Sequence, residues 1–192
     1  MNLPNKLTII RIILIPIFVA FFYIPQIPYN YVISAVIFAL AAFTDFLDGH
    51  IARKYNLVTD LGKFLDPIAD KVLVSTALII MLLPMSGESA ILPYYTAIAV
   101  AVILARELIV SGFRMVAASK GAVLAADWSG KVKTFVTDIA IIILLVGADW
   151  MPGVYTTINV IGLVVLGVAT ILTIISGTEC IVKNRSVLKE NK

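Results

Sequence analysis

The sequence has one cysteine, Cys180, and one histidine, His50. A single thiol excludes an internal disulfide and a thiolate metal cluster and leaves the redox compartment open; Cys180 is expected to be a small buried hydrophobe. Charge is scarce too. Asp, Glu, Lys and Arg make up 14% of the 192 residues while 60% are hydrophobic, whereas soluble globular chains carry about 25% charged residues. A soluble globular domain is excluded, and no nucleic-acid partner is expected. The chain lacks a nucleoside-triphosphate loop as well: ahead of Gly130-Lys131, Ala125 stands where the first glycine of that motif would be, and Val132 replaces its Ser or Thr. Residues 1–6 are too short and weakly charged for a cleaved signal, and no A-x-A-like cleavage site follows Ile24. The first apolar segment is therefore read as a retained span.

What the sequence has instead is apolar runs. At ~20 residues per span, six spans use most of the chain and leave no room for a separate soluble domain, so residues 1–192 read as one membrane domain. The expected fold is an all-α integral membrane protein: a short N-terminal interfacial segment (2–6), then six transmembrane helices at about 7–24, 31–48, 67–83, 93–118, 132–146 and 154–175. Pro25 and Pro28, Pro84 and Gly87, and Pro152 and Gly153 punctuate them. All 15 Lys and Arg residues fall at the N-terminus, in the second-to-third and fourth-to-fifth connections with their edges, or in the tail. The other three turns hold none. By the positive-inside rule this places both termini, and the acids described next, on the cytoplasmic side of the cell membrane.

Four carboxylates interrupt this apolar background. Asp45 and Asp48 are spaced i, i+3 at the end of the second predicted helix; Asp66 and Asp70 are spaced i, i+4 at the start of the third. Each pair shares a helix face, and a short connection makes the two helices antiparallel neighbours, so all four acids can converge on one pocket. Four like charges repel unless a cation neutralises them. Oxygen ligands without paired His or Cys suit Mg²⁺ or Mn²⁺ rather than zinc, and two such ions bridged by carboxylates suit in-line displacement at phosphorus. Gly49 and Ala52 leave room for a ligand near the backbone, Gly62 can do the same before Asp66, and Arg53 offers a phosphate partner. Plainer readings stand beside these. Asp66 precedes Pro67, as an N-cap does; Asp60 is expected to cap a short interfacial helix; His50 is an unpaired interfacial residue. Asp70, a turn inside a helix, has no such alternative.

The pattern Asp45-x2-Asp48-Gly49-x2-Ala52-Arg53-x8-Gly62-x3-Asp66-x3-Asp70 resembles, at every fixed position, the signature of the CDP-alcohol phosphatidyltransferase family. The resemblance implies a six-helix membrane enzyme, commonly a homodimer, that displaces CMP from a CDP-linked lipid or alcohol. It implies two divalent cations, Mg²⁺ or Mn²⁺, held by Asp45, Asp48 and Asp66. Asp70, also near the metals, is implied as the general base on the acceptor hydroxyl, with Gly49, Ala52, Arg53 and Gly62 lining the CDP site.

Three further stretches, residues 2–11, the run Ala105-Arg106-Glu107-x3-Ser111-Gly112-x-Arg114, and Gly130-Lys131-x-Lys133-Thr134, are similar to the branch of the family that uses CDP-diacylglycerol as donor and glycerol-3-phosphate as acceptor. Arg106 and Arg114 lie eight residues apart, within a quadrant of each other at ~100° per residue. Two cations on one side of an apolar helix suggest an anionic ligand. Arg106, Arg114, Lys131 and Lys133 are thus candidates for the acceptor phosphate. The alternatives are another acceptor (inositol phosphate, serine or phosphatidylglycerol), a small cation transporter, and a non-catalytic assembly protein. Transport is disfavoured because the acids sit at helix ends rather than near mid-membrane; Asp138, the acid placed best for it, is better read as making a buried interhelical hydrogen bond.

Overall fold

The computed structural model describes residues 3–54, 60–82, 91–121, 128–149 and 152–185. Among these there are six α-helices and no strand: α1 (Leu3–Tyr23), α2 (Asn30–Lys54), α3 (Asp60–Ile80), α4 (Ile91–Ser119), α5 (Trp128–Ala148) and α6 (Pro152–Lys183). Three described segments, Asn5–Tyr23, Tyr94–Ser119 and Thr157–Lys183, are long and apolar enough to cross a membrane; Asn30–Asp45 is apolar but shorter. Leu108, Met115, Val164 and Ile171 are exposed on α4 and α6, an outward apolar surface of the kind that meets a membrane.

Helix number and order follow the apolar runs, but several boundaries do not. The segment expected as a separate interfacial piece is the start of α1 itself. Pro4 lies in the first turn, where its missing N–H has no intrahelical role. Helix α2 continues beyond Asp48 to Lys54, so Gly49, Ala52 and Arg53 are helical. Helix α3 begins at Asp60, which corrects two expectations. Asp60 opens α3 rather than a separate short helix, and Asp66 is nearly two turns inside α3, so it is not an N-cap. Pro67 removes one backbone hydrogen bond without ending the helix.

The chain divides into two compact units, Met1–Gly87 with Ile141–Gly162, and Glu88–Ala140 with Leu163–Lys192. In the first, α1 packs on α2 and α3. Phe18 and Phe38, both fully buried, meet with ring centroids 5.9 Å apart, and Phe22 meets Tyr31 edge-on at 5.0 Å. The turn between α1 and α2 is closed by side chains. Asn30 Nδ2 donates to the Phe22 carbonyl at 3.0 Å, satisfying an acceptor that the end of α1 leaves open. Tyr29 takes a left-handed φ of 58°. The free N–H of Val32, in the first turn of α2, donates to Asp149 Oδ2 at 2.6 Å, where a carboxylate also complements the helix dipole.

In the second unit Val110, Phe113 and Cys180 form a buried cluster with Ile181 against it, as expected of Cys180. Tyr95 donates from its hydroxyl to the Leu163 carbonyl at 3.1 Å. That approach depends on Gly167, where a Cβ would lie 2.3 Å from the tyrosine oxygen. Helical hydroxyls serve themselves: Thr137 bonds the Lys133 carbonyl and Thr173 the Ala169 carbonyl, each one turn back, so no apolar neighbour has to supply a partner.

Candidate active site

The four acidic candidates belong to the first unit, and two of them, Asp45 and Asp66, are held from α1. Thr8 and Arg11, three residues apart and so on one face of α1, are both fully buried. Arg11 Nη1 pairs with Asp45 Oδ1 at 2.8 Å, and Arg11 Nε donates to the carbonyl of Ala41 at 3.3 Å, one turn before Asp45 on α2. The pairing is lopsided: the arginine side chain is 0% exposed and that of Asp45 42%. The guanidinium therefore holds the carboxylate from the protein side and leaves its outer part accessible. Thr8 Oγ1 donates to Asp66 Oδ1 at 2.5 Å. Oδ2 of Asp66 has no hydrogen-bond partner among the described residues. Asp70 is half-buried one turn further along α3, and Gly62 is buried one turn before Asp66.

One face of α1 thus touches a carboxylate on α2 and another on α3. The side chains of Asp48, Ala52 and Arg53, and the surroundings of Gly49, lie outside the described residues. Among the described residues no three His, Cys, Asp or Glu side chains gather tightly enough to hold a metal ion. The donor set nonetheless fits a hard divalent cation by its chemistry. Asp45, Asp66 and Asp70 offer carboxylate oxygens alone, and two of them are held by outer hydrogen bonds of the type that orient metal ligands.

The cationic residues belong to the second unit. Arg106 Nη1 pairs with Glu107 Oε1 at 3.0 Å, and Lys133 Nζ pairs with the same oxygen. Arg106 Nη2 donates to Ser176 Oγ on α6 at 2.8 Å. Lys133 is buried. Arg114 is half-buried, and its Nε is a buried donor without a partner among the described residues. Lys131 is exposed and stands apart from this network, since two residues along a helix is a rotation of ~200°. Of the four candidate cations, the structure joins Arg106 and Lys133 through Glu107 and leaves Arg114 and Lys131 unlinked to it.

Thr8 and Arg11 stand in the sequence reading only within the 2–11 stretch, and Glu107 only within the Arg106 run, none with a role of its own; Ser176 is absent from it. The available signal was weak but real: Thr8 and Arg11 are an i, i+3 polar pair inside an apolar run, and Glu107 is an acid inside another.

Among the described residues, six helices, three of them long and apolar enough to cross a membrane, carry acids held from α1 in one unit and a cation network in the other. The chain matches the CDP-alcohol phosphatidyltransferase family over residues 1–175 and belongs to it; it is a phosphatidyltransferase of phospholipid biosynthesis. It is 41% identical to the Bacillus subtilis (strain 168) CDP-diacylglycerol–glycerol-3-phosphate 3-phosphatidyltransferase, over 98% of this chain and 97% of the relative. Proteins of the same name from Rickettsia bellii (44% identical, covering 92% of this chain and 91% of the relative) and Salmonella paratyphi A (39%, covering 90% and 89%) are similar along comparable lengths.

Proposed function

We propose that this chain transfers the phosphatidyl group of CDP-diacylglycerol to a hydroxyl of glycerol-3-phosphate. The acceptor oxygen bonds to the phosphatidyl phosphorus as the bond to CMP breaks, giving phosphatidylglycerophosphate and free CMP. The observation that carries this choice of acceptor is the near full-length likeness to relatives named for that reaction. The excess positive charge around Glu107 supports it, because an acceptor that already bears a phosphate needs cations of its own.

In this reading Asp70 takes the proton from the attacking hydroxyl, as a positioned carboxylate can. Arg106, Arg114 and Lys133, with Lys131 as an outer cation, hold the acceptor phosphate. Asp45, Asp48 and Asp66, with Asp70 close by, would hold two Mg²⁺ or Mn²⁺ ions, whose charge when bound would offset that of the donor pyrophosphate and departing CMP. Gly49, Ala52, Arg53 and Gly62 would line the cytidine diphosphate. The distribution of lysine and arginine supports six spans with both termini and the site on the cytoplasmic face of the cell membrane. The unbroken family match from residue 1 to 175 supports one functional domain, and the family pattern a homodimer.

The test is incorporation of radiolabelled glycerol-3-phosphate into chloroform-soluble lipid from CDP-diacylglycerol, with serine, inositol phosphate and phosphatidylglycerol offered in parallel and the products separated by thin-layer chromatography. Label from glycerol-3-phosphate, with release of CMP, is the expected result. Preferential use of another acceptor would move the chain to a different branch of the family.

A further inference from the structure

We infer that Ser176 and Gly177 of α6 are positioning residues that seat the Arg106 side chain for the acceptor phosphate, with Glu107 steadying its other edge. The inference rests on the reading of Arg106 as a phosphate partner and asks what holds that arginine in place. A long side chain with a planar fork recognises an oxyanion well only when its rotamers are already fixed.

Three features fix it. Ser176 Oγ donates to the Thr173 carbonyl at 3.3 Å, which leaves its oxygen lone pairs to accept from Arg106 Nη2 at 2.8 Å. On the other side of the fork, Nη1 is held by Glu107 Oε1 at 3.0 Å. Between these polar anchors the stem of Arg106 lies against the backbone of α6 at Gly177. A Cβ there would come within 2.9 Å of Arg106 Cγ and 3.0 Å of Nε. Any side chain at position 177 must therefore displace the arginine near its root, because the atoms it meets are the stem rather than a free tip.

The arrangement also leaves something over. Arg106 Nε is buried without a hydrogen-bond partner among the described residues, and a guanidinium has five N–H donors in all. Buried donors of a charged group are seldom left without a partner. Two cations against the single carboxylate of Glu107 leave one net positive charge. The group that completes this set is an oxyanion with several acceptor oxygens, such as a phosphate monoester. The seat keeps Arg106 ready without neutralising it, since a serine hydroxyl and a glycine contribute no charge.

The test compares Gly177→Ala, Ser176→Ala, Ser176→Thr and Arg106→Gln in full-length protein in detergent micelles. Steady-state constants are measured separately for glycerol-3-phosphate and CDP-diacylglycerol, and thermal unfolding is followed alongside. Gly177→Ala and Ser176→Ala are expected to raise the KM for glycerol-3-phosphate by roughly tenfold, the scale of one hydrogen bond to a charged group, while the KM for CDP-diacylglycerol stays within about twofold. Ser176→Thr, which keeps the hydroxyl, should restore most of the loss. Equal losses for both substrates together with a lowered unfolding temperature would make the pair merely structural and overturn the inference. So would wild-type acceptor kinetics in both α6 variants beside an impaired Arg106→Gln. If Arg106→Gln itself leaves the acceptor KM unchanged, it is the reading of Arg106 that fails. Should Gly177→Ala not fold, Ser176→Ala removes a single oxygen and gives the same comparison.

Discussion

The two compact units solve opposite electrostatic problems with the same device. In the first, Asp45 and Asp66 on neighbouring helices meet one face of α1, where a single buried cation, Arg11, braces Asp45; in the second, one acid, Glu107, braces two cations, Arg106 and Lys133. The two braces differ in depth: Arg11 is fully buried while Asp45 is 42% exposed, whereas Glu107, at 21%, is more exposed than either Arg106 or Lys133. A lone minority charge lowers self-repulsion without cancelling the net sign. On the proposed function, the carboxylates beside Arg11 would attract cations, and the group around Glu107 oxyanions. Neutral hydroxyls, Thr8 in the first and Ser176 in the second, add orientation without changing either balance.

If the first unit is built for cations, removing them should have the largest effect. Treatment with EDTA is expected to reduce glycerol-3-phosphate incorporation to background, and Mg²⁺ or Mn²⁺ should restore it. Undiminished turnover after thorough chelation would break the comparison outright. Next in size is Asp70→Asn, which keeps the shape but cannot take a proton. Turnover should fall by about a hundredfold to ten-thousandfold, the usual worth of general-base catalysis, with CDP-diacylglycerol binding retained. A variant at full rate would remove Asp70 from the proton step and leave its carboxylate among the metal-binding group alone.

Much of this was legible in the sequence, for physical reasons that also explain what was not. Six helices could be counted because Pro25, Pro28, Pro84 and Pro152 interrupt the apolar runs. The ends of α2 and the start of α3 could not be located, because a helix nucleated in an apolar run extends into polar sequence as far as Lys54, and α3 absorbs Pro67. The acids announced themselves by their charge in apolar surroundings, and Arg106 and Lys133 did the same. Their partners did not. Thr8 meets Asp66 across 58 residues of sequence, which no local periodicity encodes. Arg106 and Glu107 are adjacent, and adjacent helical residues do not face one another; yet one guanidinium reaches both Glu107 and Ser176 on α6.

The smallest and most discriminating effect is expected at Thr8. Its hydroxyl donates to Asp66 Oδ1, so Thr8→Val keeps the volume and β-branching of a fully buried side chain and deletes only the donor. If Thr8 orients a metal-binding carboxylate, the variant should bind Mn²⁺ about tenfold more weakly, the low end of outer-shell effects. Electron paramagnetic resonance of the free ion would report this in the absence of substrate. The KM for glycerol-3-phosphate should be unchanged at saturating metal, because the cations of the second unit are untouched. Thr8→Ser, which restores the donor, should recover the affinity. A Thr8→Val protein that binds Mn²⁺ like the wild type but unfolds at lower temperature would show that the hydroxyl serves only to fasten α1 to α3. The symmetry drawn between Thr8 and Ser176 would then fail on the acidic side alone.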